Sequence, residues 1–177
     1  MEKKTTIQQH SDLHAGNYHL IGADLRQLKE LEQKLEQCQI DATIPTIFIA
    51  ECVLVYMSAD ASANLLEFFA QKFSAATEFL NYEQFRAADA FTKVMEQNLE
   101  QRGIHLHGLQ MCESEEKQVE RFKNAGFKNV QVYDMNRVFK ELLDQKEAAR
   151  IQKIDFLDEM ELLYQLLAHY CIVHAEK

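Results

Sequence analysis

One acidic residue interrupts the longest apolar run in the chain. Glu51 stands inside TIFIAECVLVYM, residues 46–57, where every other side chain is uncharged. A carboxylate left in mid-strand costs on the order of several kcal/mol unless it is paired or protonated. Glu51 is therefore placed at the C-terminal end of a strand, with the chain turning at Cys52. There it is either a carboxylate that faces a site or one that is paired inside the fold. Asp24 is the second residue of interest. It stands before Leu25, Leu28, Leu31 and Leu35, which have helical spacing. Asp24 suits the N-cap of that helix, and Gln27 three residues on completes a pattern like a capping box. Tyr82 and Glu83 close a third candidate region at the end of a strand, where structural and site roles both stay open.

Other chemistry is absent from the pattern. There is no Ser/His/Asp or Cys/His arrangement. Cys38, Cys52, Cys112 and Cys171 form no Cys-x-x-Cys pair, and read as reduced, buried thiols. His105 and His107 lie beside Gly103 and Gly108 and read as a solvated turn, so no metal is expected. Glu113, Glu115, Glu116 and Glu120 read as a solvated helix face. The net charge of −9 argues against a large nucleic-acid footprint and against an anionic membrane. No apolar stretch reaches the roughly 18 residues of a membrane span. Residues 1–14 lack the apolar core of a signal peptide, which points to a cytoplasmic protein.

The elements that must position these residues follow from the 177-residue pattern. Residues 1–16 read as a polar tail or the remnant of a loop, and residues 17–177 as one domain. Strands are expected at residues 17–23, 46–51, 78–83, 129–134 and 170–175. Ile47, Phe48 and Ile49 fit a strand buried on both faces. Ser58 caps a helix carrying Leu65, Leu66, Phe69 and Phe73. A helix over residues 88–102 should bury Phe91, Val94, Met95 and Leu99, and another over 115–125 packs through Val119 and Phe122. Two more are expected at 136–145 and 158–169. The alternation predicts an α/β fold with a mainly parallel sheet.

Four segments in this order resemble the leucine carboxyl methyltransferase family: IGADLR (21–26), AECVLVYM (50–57), NYEQ (81–84) and FLDEMELL (156–163), the last followed by His169-Tyr170-Cys171. The resemblance covers roughly residues 17–177. It implies a partial class I, Rossmann-like methyltransferase fold: a doubly wound sheet with an antiparallel final strand, lacking its N-terminal strands. It implies S-adenosylmethionine as cofactor, lying across the C-terminal strand ends. Asp24 and Leu25 would hold the adenine, and Glu51 would contact the cofactor. Asn81, Tyr82 and Glu83 would line the cleft near the substrate. Asp89, Phe91 and Met95 resemble a further family pattern without a fixed role. The family's glycine turn has no counterpart, since Gly16, Gly22, Gly103, Gly108 and Gly126 form no Gly-x-Gly.

The implied activity is methyl esterification of the C-terminal leucine carboxylate of the protein phosphatase 2A catalytic subunit. Such a carboxylate has a reference pKa of about 3.5 and is ionised at neutral pH, so no catalytic general base is expected. Alignment supplies the rate. With one wall of the cleft, the chain is expected to be inactive alone. The alternatives are a non-catalytic interaction fragment and a truncated product without function. In the full fold the strand at 46–50 pairs with the first strand, so an uncovered apolar face is expected here.

Overall fold

The computed structural model describes residues 12–154 and 157–177. Residues 1–11 of the polar segment, and Phe156 at the start of FLDEMELL, lie outside the described residues. The chain falls into two compact units, one ending at Ala42 and one spanning Thr43–Lys177.

The first unit contains a hairpin and a helix. Strands β1 (Asp12–Ala15) and β2 (Tyr18–Ile21) pair antiparallel, with Ala15 opposite Tyr18. The two-residue turn needs a left-handed backbone, which Gly16 supplies at φ +60° without a steric cost. Part of the expected polar tail is thus a strand. Helix α1 (Leu28–Gln37) starts later than the spacing suggested, with Gln27 at its N-cap. Asp24 does not cap it. Its Oδ1 accepts the Arg26 backbone N–H at 3.0 Å, and both its oxygens accept from the Arg26 guanidinium. The Gln27 N–H donates to the Asp24 carbonyl at 2.8 Å, which makes residues 24–27 a turn. Leu25 therefore precedes the helix.

The second unit is built on a four-stranded sheet. Strand β3 (Thr46–Glu51) leads through α2 (Ala59–Lys72) to β4 (Thr77–Gln84). Helices α3 (Ala90–Glu100) and α4 (Glu115–Asn124) precede β5 (Asn129–Asp134). A short helical turn at Met135–Arg137 runs into a π-turn at Val138–Leu142, followed by α5 (Gln145–Ile154), α6 (Met160–Leu167) and β6 (Tyr170–Glu176). The expected helix at 136–145 is thus a broken turn, and α5 is an element the spacing did not suggest.

The strand order is β3-β4-β6-β5. β3 and β4 are parallel, and β6 runs antiparallel to both β4 and β5. The last strand is antiparallel, as the resemblance implied, and it lies between two earlier ones. The fold class read from the sequence holds.

Period-two alternation decides which side chains are covered. Phe48, Phe79, Val132, Val173 and Ala175 point to a face roofed by α2 and α4. Phe79 meets Phe48, Phe69, Phe122 and Phe127 with ring centroids 5.4–6.4 Å apart. Such contacts add about 0.5–1.5 kcal/mol each beyond area burial. Ser58 Oγ caps α2 by accepting the Ala61 N–H, as expected. The other face is the more open one, with Leu80, Tyr82, Ile172 and His174 half-buried. Ile47 and Ile49 are 60% and 77% exposed, so β3 is not buried on both sides. It is an edge strand, and its alternate residues face solvent.

Candidate functional site

The C-terminal ends of β3 and β4 carry the site. Glu51 is the last residue of β3 and is exposed, in register with Tyr82. The chain turns at Cys52, whose φ of +48° is unusual for a residue with a side chain. Its N–H donates to the Tyr82 carbonyl at 2.8 Å. The expected strand end and turn are both present.

Behind Glu51 lies a hollow of about 490 Å³, lined by Ile49, Ala50, Glu51, Leu80, Tyr82, Met135 and Ile172. The Tyr82 ring stacks on Tyr170 with centroids 5.2 Å apart and planes 4° from parallel. Burial, then the neighbouring Tyr170, pushes the Tyr82 hydroxyl up to about 12. It remains a neutral donor at physiological pH. Burial also raises the Cys52 thiol, followed by the charges of Glu83 and Glu51, so Cys52 is no thiolate nucleophile.

The other two expected cleft residues point the opposite way. Asn81 and Glu83 are fully buried on the helix-covered face. Glu83 Oε1 accepts the Val55 N–H at 2.7 Å. Its Oε2 accepts from Arg121 Nη1 at 2.7 Å and from Asn81 Nδ2 at 3.3 Å. Neither residue lines an open cleft. Alternation explains the correction: of three consecutive strand residues, Tyr82 alone can share a face with Glu51.

Glu83 acts on the site indirectly, by fixing the loop after Glu51. That loop forms a 3-10 turn at Leu54–Tyr56. Val55 is held on both sides, because its carbonyl accepts the Gly108 N–H at 2.8 Å. Gly108 packs flush on this turn. A Cβ there would lie 2.8 Å from the Met57 carbonyl oxygen and 2.9 Å from that of Leu54. Val55 also belongs to a core cluster with Leu106, Leu109 and Cys112.

Asp24 and Leu25 lie in the first unit. The Arg26 side chain, then the Arg26 backbone N–H, holds the Asp24 carboxyl down at about 2. It is ionised and exposed to further donors, which suits an adenine amino group. Glu51 likewise offers an acceptor beside an apolar, aromatic-walled hollow. Glu51, at its strand end in the second unit, thus fits a positively charged or amino-bearing cofactor of the kind the resemblance implies.

A further constellation lies at the start of α3. Asp89 caps the helix by accepting the Thr92 N–H at 2.9 Å, and its Oδ2 pairs with His169 Nε2 at 2.7 Å. Phe91 stacks on the His169 ring at 4.0 Å. Val94, expected in the core, is 57% exposed. With Phe91, Met95, Leu99 and Gln165 it lines an apolar groove of about 540 Å³. His105 and His107 are exposed in their turn, as expected, and Cys38, Cys112 and Cys171 are buried. Sequence reasoning missed Tyr170, Arg121, Gly108 and His169. The His169-Tyr170-Cys171 segment was the available signal for two of them.

The family model described as leucine carboxyl methyltransferase matches residues 1–70. Leucine carboxyl methyltransferase 1 of Caenorhabditis elegans is 66% identical over 98% of this chain and 52% of its own length. That of Bos taurus is 46% identical over 93% of this chain and 49% of its length. The chain thus spans about half the length of the curated relatives it matches. A solved phosphoethanolamine N-methyltransferase 2 of Haemonchus contortus, complexed with phosphomonomethylethanolamine and S-adenosylhomocysteine, aligns with TM-score 0.42 at 13% identity, over 73% of this chain and 32% of that one.

Proposed function

Because the chain belongs to the leucine carboxyl methyltransferase family, we propose that it forms one wall of an S-adenosylmethionine-dependent enzyme that esterifies a protein's C-terminal leucine carboxylate. The substrate is the catalytic subunit of protein phosphatase 2A, met in the cytoplasm. The observation that supports this reading most is the exposed carboxylate of Glu51. It ends a parallel strand beside the stacked Tyr82 and Tyr170, on a loop clamped from beneath.

When bound, S-adenosylmethionine supplies an electrophilic methyl group on a sulfonium. The leucine carboxylate is already ionised and needs no base. The chain's own residues then bind and align. Glu51 accepts hydrogen bonds and favours positive charge at its strand end, and Asp24 offers an acceptor within its own unit. Tyr82 keeps its proton and donates. The half-buried Leu80 and Ile172 give the hollow an apolar wall, which strengthens polar contacts made against it. Alignment of this kind is worth roughly 7–11 kcal/mol in favourable cases.

One wall holds a ligand weakly, so these 177 residues by themselves are expected to transfer methyl groups at background rate while still binding the donor. Calorimetry with S-adenosylmethionine on the chain and on Glu51→Gln tests this. Weak, saturable binding that S-adenosylhomocysteine displaces and Glu51→Gln reduces is the expected result. Absence of heat at millimolar ligand would sink the cofactor role. Retention of the phosphatase catalytic subunit on the immobilised chain tests the partner.

A further inference from the structure

The open face of the sheet carries a second cluster, at the opposite end of the strands from Glu51. Glu78 begins on β4 directly across from Glu176 on β6. Two like charges at directly opposed positions destabilise a strand pair. His174 sits two residues from Glu176 on the same face. Its Nε2 lies 3.0 Å from Glu78 Oε2 and 3.8 Å from Glu176 Oε1. One ligand atom from each residue can be chosen so that all lie within 4.8 Å of one another.

We propose that Glu78, His174 and Glu176 bind a divalent transition-metal ion of the zinc type. The donor set is one imidazole and two carboxylates, whose charge cancels that of the cation. Zinc at about 2.0–2.2 Å from its ligands places neighbouring donor atoms roughly 3.3–3.6 Å apart. The two histidine distances, 3.0 and 3.8 Å, straddle that spacing, and the two carboxylate oxygens lie within 4.8 Å of each other, so closing the site takes rotation of the carboxylates toward a shared centre. The donors project from two hydrogen-bonded strands, which fixes their backbones. An orienting contact is already present: Asn129 Nδ2 donates to Glu176 Oε2 at 3.1 Å. Holding one oxygen of a ligating carboxylate in this way is characteristic of the outer shell of metal sites. The three side chains are half-buried, which leaves room for water as a fourth ligand. A nitrogen donor beside carboxylates favours zinc over magnesium.

The test is calorimetric titration of the chelator-stripped chain with Zn²⁺, beside His174→Ala, Glu78→Gln, Asn129→Ala and a His105→Ala/His107→Ala control. One equivalent is expected in the parent chain and in the control. That equivalent is lost in His174→Ala and weakened in Glu78→Gln, which is isosteric and keeps the sheet intact if the alanine variant does not fold. Asn129→Ala should weaken it about 10-fold. The proposal is overturned if the parent chain binds no zinc at submillimolar concentration. It is equally overturned if zinc binding is unchanged in Glu78→Gln and in a folded His174→Ala, or if Mg²⁺ binds as tightly as Zn²⁺.

Discussion

The two faces of the sheet treat the same kinds of residue differently. On one face, Phe48, Phe79, Phe122 and Phe127 close a core under α2 and α4. On the other, Ile47 and Ile49 face solvent. The contrast is sharpest for two carboxylates near the ends of neighbouring parallel strands. Glu83 faces the helices, is fully buried and has three hydrogen-bonded partners. Glu51 faces the other way and is exposed. A parity difference along a strand separates a residue that holds the site together from one available to a ligand.

The largest effects should come from the covered face. Arg121→Met leaves the Glu83 charge buried without its ionic partner. Breaking a buried pair from one side costs about 3–5 kcal/mol. A denaturant midpoint should fall accordingly, and Glu83→Gln/Arg121→Met should recover part of the loss. A single-variant loss below about 1 kcal/mol would show that Glu83 is solvated in solution, since exposed ion pairs contribute only about that much. Phe79→Ala removes the ring that touches four other aromatic rings, and should cost about 3–5 kcal/mol.

Gly108→Ala comes next. Two backbone oxygens lie under 3.0 Å from the added carbon, so the Leu54–Tyr56 turn or the turn that carries Gly108 must move. Overpacking of this kind costs about 1–3 kcal/mol. Thermal unfolding measures that cost, and protection of the Val55 amide in hydrogen exchange reports whether the clamp itself has loosened.

On the open face the same measurements should register little. Ile49→Thr and Glu51→Gln are each expected to shift stability by no more than about 0.5 kcal/mol, as for ordinary surface positions. A large loss from Glu51→Gln would mean that this carboxylate is structural, and would undo its contrast with Glu83.

What the sequence revealed follows the same division. The β3 strand, the turn at Cys52 and the exposed carboxylate at the strand end were legible, because one charge in an apolar run has few places to go. The α/β alternation was legible as well. The facing of β3 was not, because an uninterrupted apolar strand reads alike whether one face or both are covered. Asn81 and Glu83 were assigned to the cleft as neighbours of Tyr82 in a motif, and strand alternation separates them. Asp24 looked like a cap because its spacing to the leucines is helical; the nearer Arg26 takes its oxygens. Glu78, His174 and Arg121 act on residues distant in sequence, which no local spacing discloses.

Asp89 is intermediate between the two extremes, since its side chain is 48% exposed while its partner His169 is largely buried. The Thr92 backbone N–H, and after it His169, hold the Asp89 carboxyl at about 2, below its ordinary 3.8. A carboxylate with a depressed folded-state pKa stabilises the fold above the unfolded value. That contribution fades as pH falls through the folded one. Asp89→Asn removes the charge yet keeps an oxygen for the Thr92 N–H, so the helix cap survives. The stability difference between the parent chain and Asp89→Asn that comes from this shift should therefore be full above about pH 5 and shrink towards pH 2, by acid titration of the unfolding midpoint. Solvent screening makes this the smallest of the expected effects. A difference that stays flat across that window would mean that the Asp89 charge adds nothing to the cap, and that His169 is positioned by Phe91 and the Gln165 carbonyl instead.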